Sequence, residues 1–214
     1  MRVKFWIQAA LQNGLVVVGG SVGYGVMMTL TGAIENVERM LGIMMMFLLL
    51  FGAGMGIVIG LNLWKLNLPL ALSFGSSRKE AFWGMQWYHL IYNGVILAAT
   101  MVLCVLCGAT APLSLGLLLP VSVALLLLST AASTIFGIVG VKYGKTVVII
   151  ISVVIGILLA GSIMAVVTLF LIQDAVGLNL TNWIIWGLPV VGVVLYGLSL
   201  IAEHKMVYRF AVKL

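Results

Sequence analysis

The chain has 214 residues, 64% of them hydrophobic and only 7% charged, with a formal net charge of +6. A soluble domain of this size draws about a quarter of its residues from Asp, Glu, Lys and Arg, so these few charges cannot build a water-facing surface and a soluble globular protein is excluded. The mean hydropathy of +1.28 predicts an integral membrane protein with little outside the bilayer.

A helix needs roughly 20 apolar residues to cross the hydrocarbon core. Six segments meet that length, at about 10–30, 40–61, 86–107, 114–139, 147–171 and 183–201. They are continuously apolar and too long for the alternating strands of a barrel. The expected fold is all-α, a polytopic protein whose single transmembrane domain, 1–214, holds six transmembrane helices. Arg2, Lys4, Lys65, Arg78, Lys79, Lys142, Lys145, Lys205, Arg209 and Lys213 fall on one side of this topology, and Arg39 with Glu35, Glu38 and Asp174 on the other. By the positive-inside rule both termini are cytoplasmic. The basic pI of about 9.6 then reflects topology and calls for no nucleic-acid partner. No small-residue cleavage site follows the first span, so no removable signal peptide is expected.

Residues 1–13 open the chain with an amphipathic pattern. Val3, Trp6, Ile7, Ala10 and Leu11 share one helical face, and Arg2, Lys4, Gln8, Gln12 and Asn13 the other. Such a basic segment with Trp at the boundary fits a helix lying in the headgroup plane; the alternative is a plain extension of the first span. Within the first two spans, Gly19 and Gly23, then Gly52, Gly56 and Gly60, recur four apart. That spacing lets helix backbones approach closely in lipid, within the chain or between subunits.

The segment 62–85 is the long polar interruption. Asn67 is positioned to cap a short helix with Pro69 in its first turn, and Gly75 to end it. Ser77 and Glu80 then have the spacing of a capping box, opening a helix that continues into the third span. The segment therefore reads as helix, tight turn, helix. Trp83, Trp87 and Tyr88 supply an aromatic belt. Pro120 and Pro189 lie within the fourth and sixth spans, where local kinks are expected.

Residues that carry chemistry are sparse. Cys104 and Cys107 share a helix face; small packing residues are the plainer reading of the pair than redox or metal ligands. His89, Glu203 and His204 sit near the cytoplasmic surface and read as solvated boundary residues, with Glu203 and His204 on different helix faces. Gly140-Val-Lys-Tyr-Gly-Lys-Thr146 is one residue short of a phosphate-binding loop and follows a helix rather than a strand. No Asp, Glu, Lys or Arg lies between Glu80 and Lys142 or between Lys145 and Asp174, so a proton relay at mid-depth is not expected. The chain has no enzyme signature and no power source of its own.

With its six spans, cytoplasmic ends, amphipathic lead-in and Leu72-Ser73-Phe74-Gly75-Ser76-Ser77-Arg78-Lys79-Glu80 loop, the chain resembles ABC-2-type permeases, the membrane subunits of bacterial ABC exporters. The resemblance implies that Leu72 to Glu80 form a coupling helix docked on a separate ATP-binding cassette subunit, with residues 1–13 as the elbow helix and 202–214 as a cytoplasmic tail. It implies a multi-pass protein of the bacterial plasma membrane, in contact with lipid and paired with a second permease copy or a paralogue. ATP and Mg would be held by the ATPase partner and no cofactor by this chain. The short fifth-to-sixth connection departs from larger members. The compact form resembles exporters of amphipathic peptides, including phenol-soluble-modulin and bacteriocin-immunity systems. Two other classes stay open: a self-sufficient carrier or channel, and a non-transporting membrane partner.

Overall fold

The computed structural model describes residues 3–32, 37–108, 115–144, 146 and 180–209. These form α1 (Val3–Leu30), α2 (Val37–Asn62), a π-turn (Leu63–Asn67), α3 (Leu68–Ser73), α4 (Arg78–Cys107), α5 (Leu115–Tyr143) and α6 (Leu180–Arg209). Among the described residues, five helices are long and apolar enough to cross a membrane: Lys4–Leu30, Met40–Ser73, Arg78–Cys107, Leu118–Tyr143 and Gly187–Arg209. The protein is thus a multi-span, all-α membrane protein. The expected span at 147–171 lies outside the described residues.

α1 runs without a break from Val3, so no separate elbow helix is set off from the first span. Its 28 residues extend about 42 Å at 1.5 Å per residue, the thickness of a bilayer with its headgroups. Nothing in the sequence interrupts it: residues 3–30 contain no proline. Trp6 and Ala10 also lie on the same buried stripe as Gly14, Val17, Ser21 and Gly25, a helical spacing of three and four. Continuing the helix keeps that stripe packed against α2 and α4.

The second helix also continues further than expected. Asn67 does not cap a new helix; its φ of −72° and ψ of −39° are helical, and its side chain makes no cap bond. A π-turn carries the chain from α2 into α3, with the Leu68 N–H donating to the Leu63 carbonyl. The physical reason lies in Pro69, which has no N–H and whose ring crowds the carbonyl four residues back. A wider i→i+5 turn just before the proline accommodates both defects without ending the helix.

α2 lies between α1 and α4 on one side and α5 on the other, and α5 packs in turn on α6. The glycines set these approaches. Gly52 meets Ile96 of α4, while Gly56 and Gly60 meet Ser129 and Ser133 of α5. With no side chain between the backbones, the Tyr92 hydroxyl reaches the Gly52 carbonyl and the Ser129 hydroxyl the Ala53 carbonyl, each at 2.8 Å. Two buried indoles fill notches of the same kind, Trp6 against Gly84 of α4 and Trp64 against Gly137 of α5. These contacts bring the N-terminal end of α1, the turn after α3, and the C-terminal ends of α5 and α6 to one end of the bundle. Lys4, Lys65, Arg78, Lys79, Lys142, Lys205 and Arg209 therefore gather there.

Candidate functional site

Two features at that end combine order with chemistry. The first is the turn between α3 and α4. Phe74 ends α3, and Gly75 then takes a φ of +83°, a left-handed conformation that glycine adopts without a Cβ penalty. The Ser76 N–H donates to the Ala71 carbonyl at 3.0 Å and the Gly75 N–H to the Leu72 carbonyl at 3.1 Å, which is the Schellman pattern. Two residues on, the Ser77 hydroxyl accepts from the Glu80 N–H at 3.2 Å, and the Ser77 N–H donates to the Glu80 carboxylate at 2.9 Å. The capping box is complete. The helix–turn–helix is thus closed on both sides by short-range bonds.

Of the residues expected to form the contact segment, Ser73, Phe74, Gly75, Ser77, Arg78, Lys79 and Glu80 are exposed, Leu72 is half-buried and Ser76 is buried. Arg78 donates through Nη1 to the Tyr208 carbonyl at the end of α6. The ring of His204 lies between Phe82 and Tyr208, with centroids 5.4 and 4.5 Å away. The turn is thereby tied to α6. Its outer side carries Leu66, Leu70 and Phe74, four residues apart and all exposed, Phe74 at 71%.

No family model, curated protein or solved structure matches this chain. What it does is therefore to be read from its own residues.

The second feature is a polar seam between α4 and α6, and there the structure corrects the sequence reading. Glu203 is 1% exposed and His89 is 5% exposed, so neither is a solvated boundary residue. Only His204 faces outward. Gln86, His89 and Asn93 recur on α4 at steps of three and four, as do Tyr196, Ser199 and Glu203 on α6. The Tyr196 hydroxyl donates to Gln86 Oε1 at 3.0 Å, and Asn93 Nδ2 donates to Thr130 Oγ1 of α5 at 2.8 Å. The Gln86 amide lies beside the Glu203 carboxyl. Even so, Glu203 Oε1, Gln86 Nε2 and His89 Nε2 have no close hydrogen-bond partner among the described residues. Buried polar atoms left in that state are costly. The repeated polar spacing in two separate spans was the signal available in the sequence, and it gains meaning only once α4 and α6 are known to meet.

Other expected positions fall as follows. Trp83 and Trp87 are exposed, in keeping with a belt, but Tyr88 is buried and accepts a hydrogen bond from Asn13 of α1. Cys104 and Cys107 are both buried on one face of α4. Gly19 and Gly23 lie on an open side of α1, where a Cβ would meet nothing within 4 Å. α5 runs on to Tyr143, and Gly144 leaves it with a φ of +87°, so the glycine-rich stretch closes α5. Among the described residues, no group of three or more His, Cys, Asp or Glu is placed to hold a metal ion.

Proposed function

We propose that this chain is the permease subunit of an ATP-driven exporter, in which the capped turn at 62–85 receives force from a separate ATP-binding subunit. The observation that carries this reading is the construction of the turn. A simple connector between spans needs neither a Schellman closure nor a capping box nor a tie to α6. Here all three hold rigid an exposed ridge of Leu66, Leu70 and Phe74 that nothing among the described residues covers. An apolar helix ridge flanked by Arg78 and Lys79 is suited to a groove on a partner protein. A stiff ridge also transmits displacement, where a loose loop would absorb it.

The basic end of the bundle is cytoplasmic in this scheme, by the positive-inside rule. Two copies, or one copy and a paralogue, enclose the pathway, with the open Gly19–Gly23 side of α1 as a contact. The substrate is amphipathic or hydrophobic, a peptide being the best fit to walls so poor in charge. ATP and Mg belong to the partner.

The test is co-purification with an ATP-binding protein, followed by ATPase measurements on the reconstituted pair. Phe74→Ala and Arg78→Glu are expected to lower substrate-dependent ATPase activity while membrane insertion stays intact. Transport by the chain alone, with no ATPase present, would refute the proposal.

The buried Glu203 and His89 favour a second reading, a self-sufficient carrier driven by an ion gradient. An ionisable residue enclosed among membrane helices is a hallmark of such coupling. This reading expects uptake into ATP-free vesicles to follow an imposed pH gradient and to be lost in Glu203→Gln. Gradient-independent, ATP-dependent transport that survives Glu203→Gln would leave only the first reading.

A further inference from the structure

One face of α4 joins a cation, an indole and an open apolar cleft. At about 100° per residue, Lys79, Trp83, Leu90, Gly94 and Leu97 fall within about 60° of one another, and the first four are exposed. Leu90, Gly94 and Leu97 line a cleft of about 210 Å³ between α4, α5 and α6, whose far wall includes Val123 and Leu126. Leu90 and Gly94 lie midway along α4, so the cleft opens on the side of the bundle, where lipid lies. Fifteen residues separate Lys79 from Gly94, a rise of about 22 Å. That is the depth of one leaflet, headgroup to midplane, in a bilayer about 40–45 Å thick. With Lys79 among the headgroups and Trp83 in the interfacial belt, the cleft sits where acyl chains end. Charge at the headgroup level is lopsided. Arg78 bonds to the Tyr208 carbonyl and so holds the end of α6, with exposed Lys205 and Arg209, beside the start of α4. Against these cations stands one exposed carboxylate, Glu80, which accepts from the Ser77 N–H; Glu203 is buried.

We infer that this face is a binding site for one anionic phospholipid, its phosphate beside Lys79 and the end of one acyl chain in the cleft. An engineered apolar cavity of about 150 Å³ holds a benzene, so this somewhat larger cleft takes a run of methylenes. A protein helix, at about 10–12 Å across, is too wide for it. Lysines at the membrane surface attract anionic lipid, and the Lys79 stem can follow the apolar face while its ammonium stays with the phosphate. A zwitterionic lipid would fill the cleft equally well but gain little from Lys79. The site depends on membrane residence alone and not on any ATPase partner.

The experiment is native mass spectrometry of the delipidated full chain in detergent, titrated with palmitoyl-oleoyl phosphatidylglycerol or with the phosphatidylcholine of the same chains. One saturable phosphatidylglycerol adduct is expected, about fivefold tighter than phosphatidylcholine, the gain from one lysine near the surface. Lys79→Gln should erase that preference. Lys4→Gln removes the same charge at the same end of the bundle, but on α1, which packs through Trp6 on another face of α4; the preference should survive there. A Cβ at Gly94 meets nothing within 4 Å, so Gly94→Leu fills the cleft without displacing a neighbour and should weaken both lipids alike. Three results would overturn the inference: equal affinity for the two lipids (ordinary solvation by lipid), equal loss of preference in Lys4→Gln and Lys79→Gln (a diffuse field), or unchanged binding in Gly94→Leu (a headgroup contact alone). The comparison of lipids on the unaltered chain decides even if a variant fails to fold.

Discussion

Ser77 and Glu80 exchange two hydrogen bonds where α4 would otherwise begin with unsatisfied N–H groups. Ser77→Ala should therefore cost about 1 kcal/mol of stability. Gly75→Ala, forced to keep a φ of +83°, should cost about 1–2 kcal/mol. Thermal unfolding in detergent, with limited proteolysis at the turn, measures both. These residues were legible in the sequence because every partner lies within a few positions along the chain. Glu203 was not, because the Gln86 amide beside it comes from α4, more than a hundred residues away. Glu203→Gln keeps the shape and removes the ionisable carboxyl, so the fold should survive. Glu203→Lys places an ammonium at a site 1% exposed and should cost about 3–5 kcal/mol, as for other uncompensated buried charges. Monodispersity on size exclusion would separate the two variants.

Between helices, contact in lipid gains nothing from expelling water, so close packing must supply the attraction. The indole-in-glycine notches are the clearest instance. Gly84→Leu and Gly137→Leu should each cost about 1–3 kcal/mol by overpacking, since Trp6 and Trp64 already occupy the space. Pairing Gly84→Leu with Trp6→Ala should restore part of that loss, and a double-mutant cycle by thermal unfolding would show the coupling. Gly19→Leu and Gly23→Leu meet nothing among the described residues and should leave the melting temperature unchanged. If α1 pairs with another subunit there, as proposed, cross-linking of the assembly should fall in the same variants. The glycine spacing in α2 announced close approach, but the spacing in α1 looked the same. Only the packing distinguishes a glycine buried against α4 or α5 from one on an open side.

At the scale of the molecule, helix ends carrying seven basic residues converge on one end of the bundle, and the topology can be tested apart from any function. Single cysteines at Phe74 and Tyr143 should react with an impermeant thiol reagent in inverted vesicles, and one at Gly32 in intact cells; the opposite pattern would reverse the orientation. Cys104 and Cys107 are buried and should contribute little background. Membrane residence, all-α class and the positions of the five described spans follow from the sequence itself, because a bilayer demands long apolar helices and excludes almost everything else. The capped turn follows too, its bonds being local. The tertiary structure decided the rest: that α1 starts at Val3 without an elbow, that α2 continues past Asn67 through a π-turn, and that Glu203 and His89 are buried in a seam. Those outcomes depend on which faces of distant helices meet, and a uniformly apolar chain carries almost no pattern from which to choose a face.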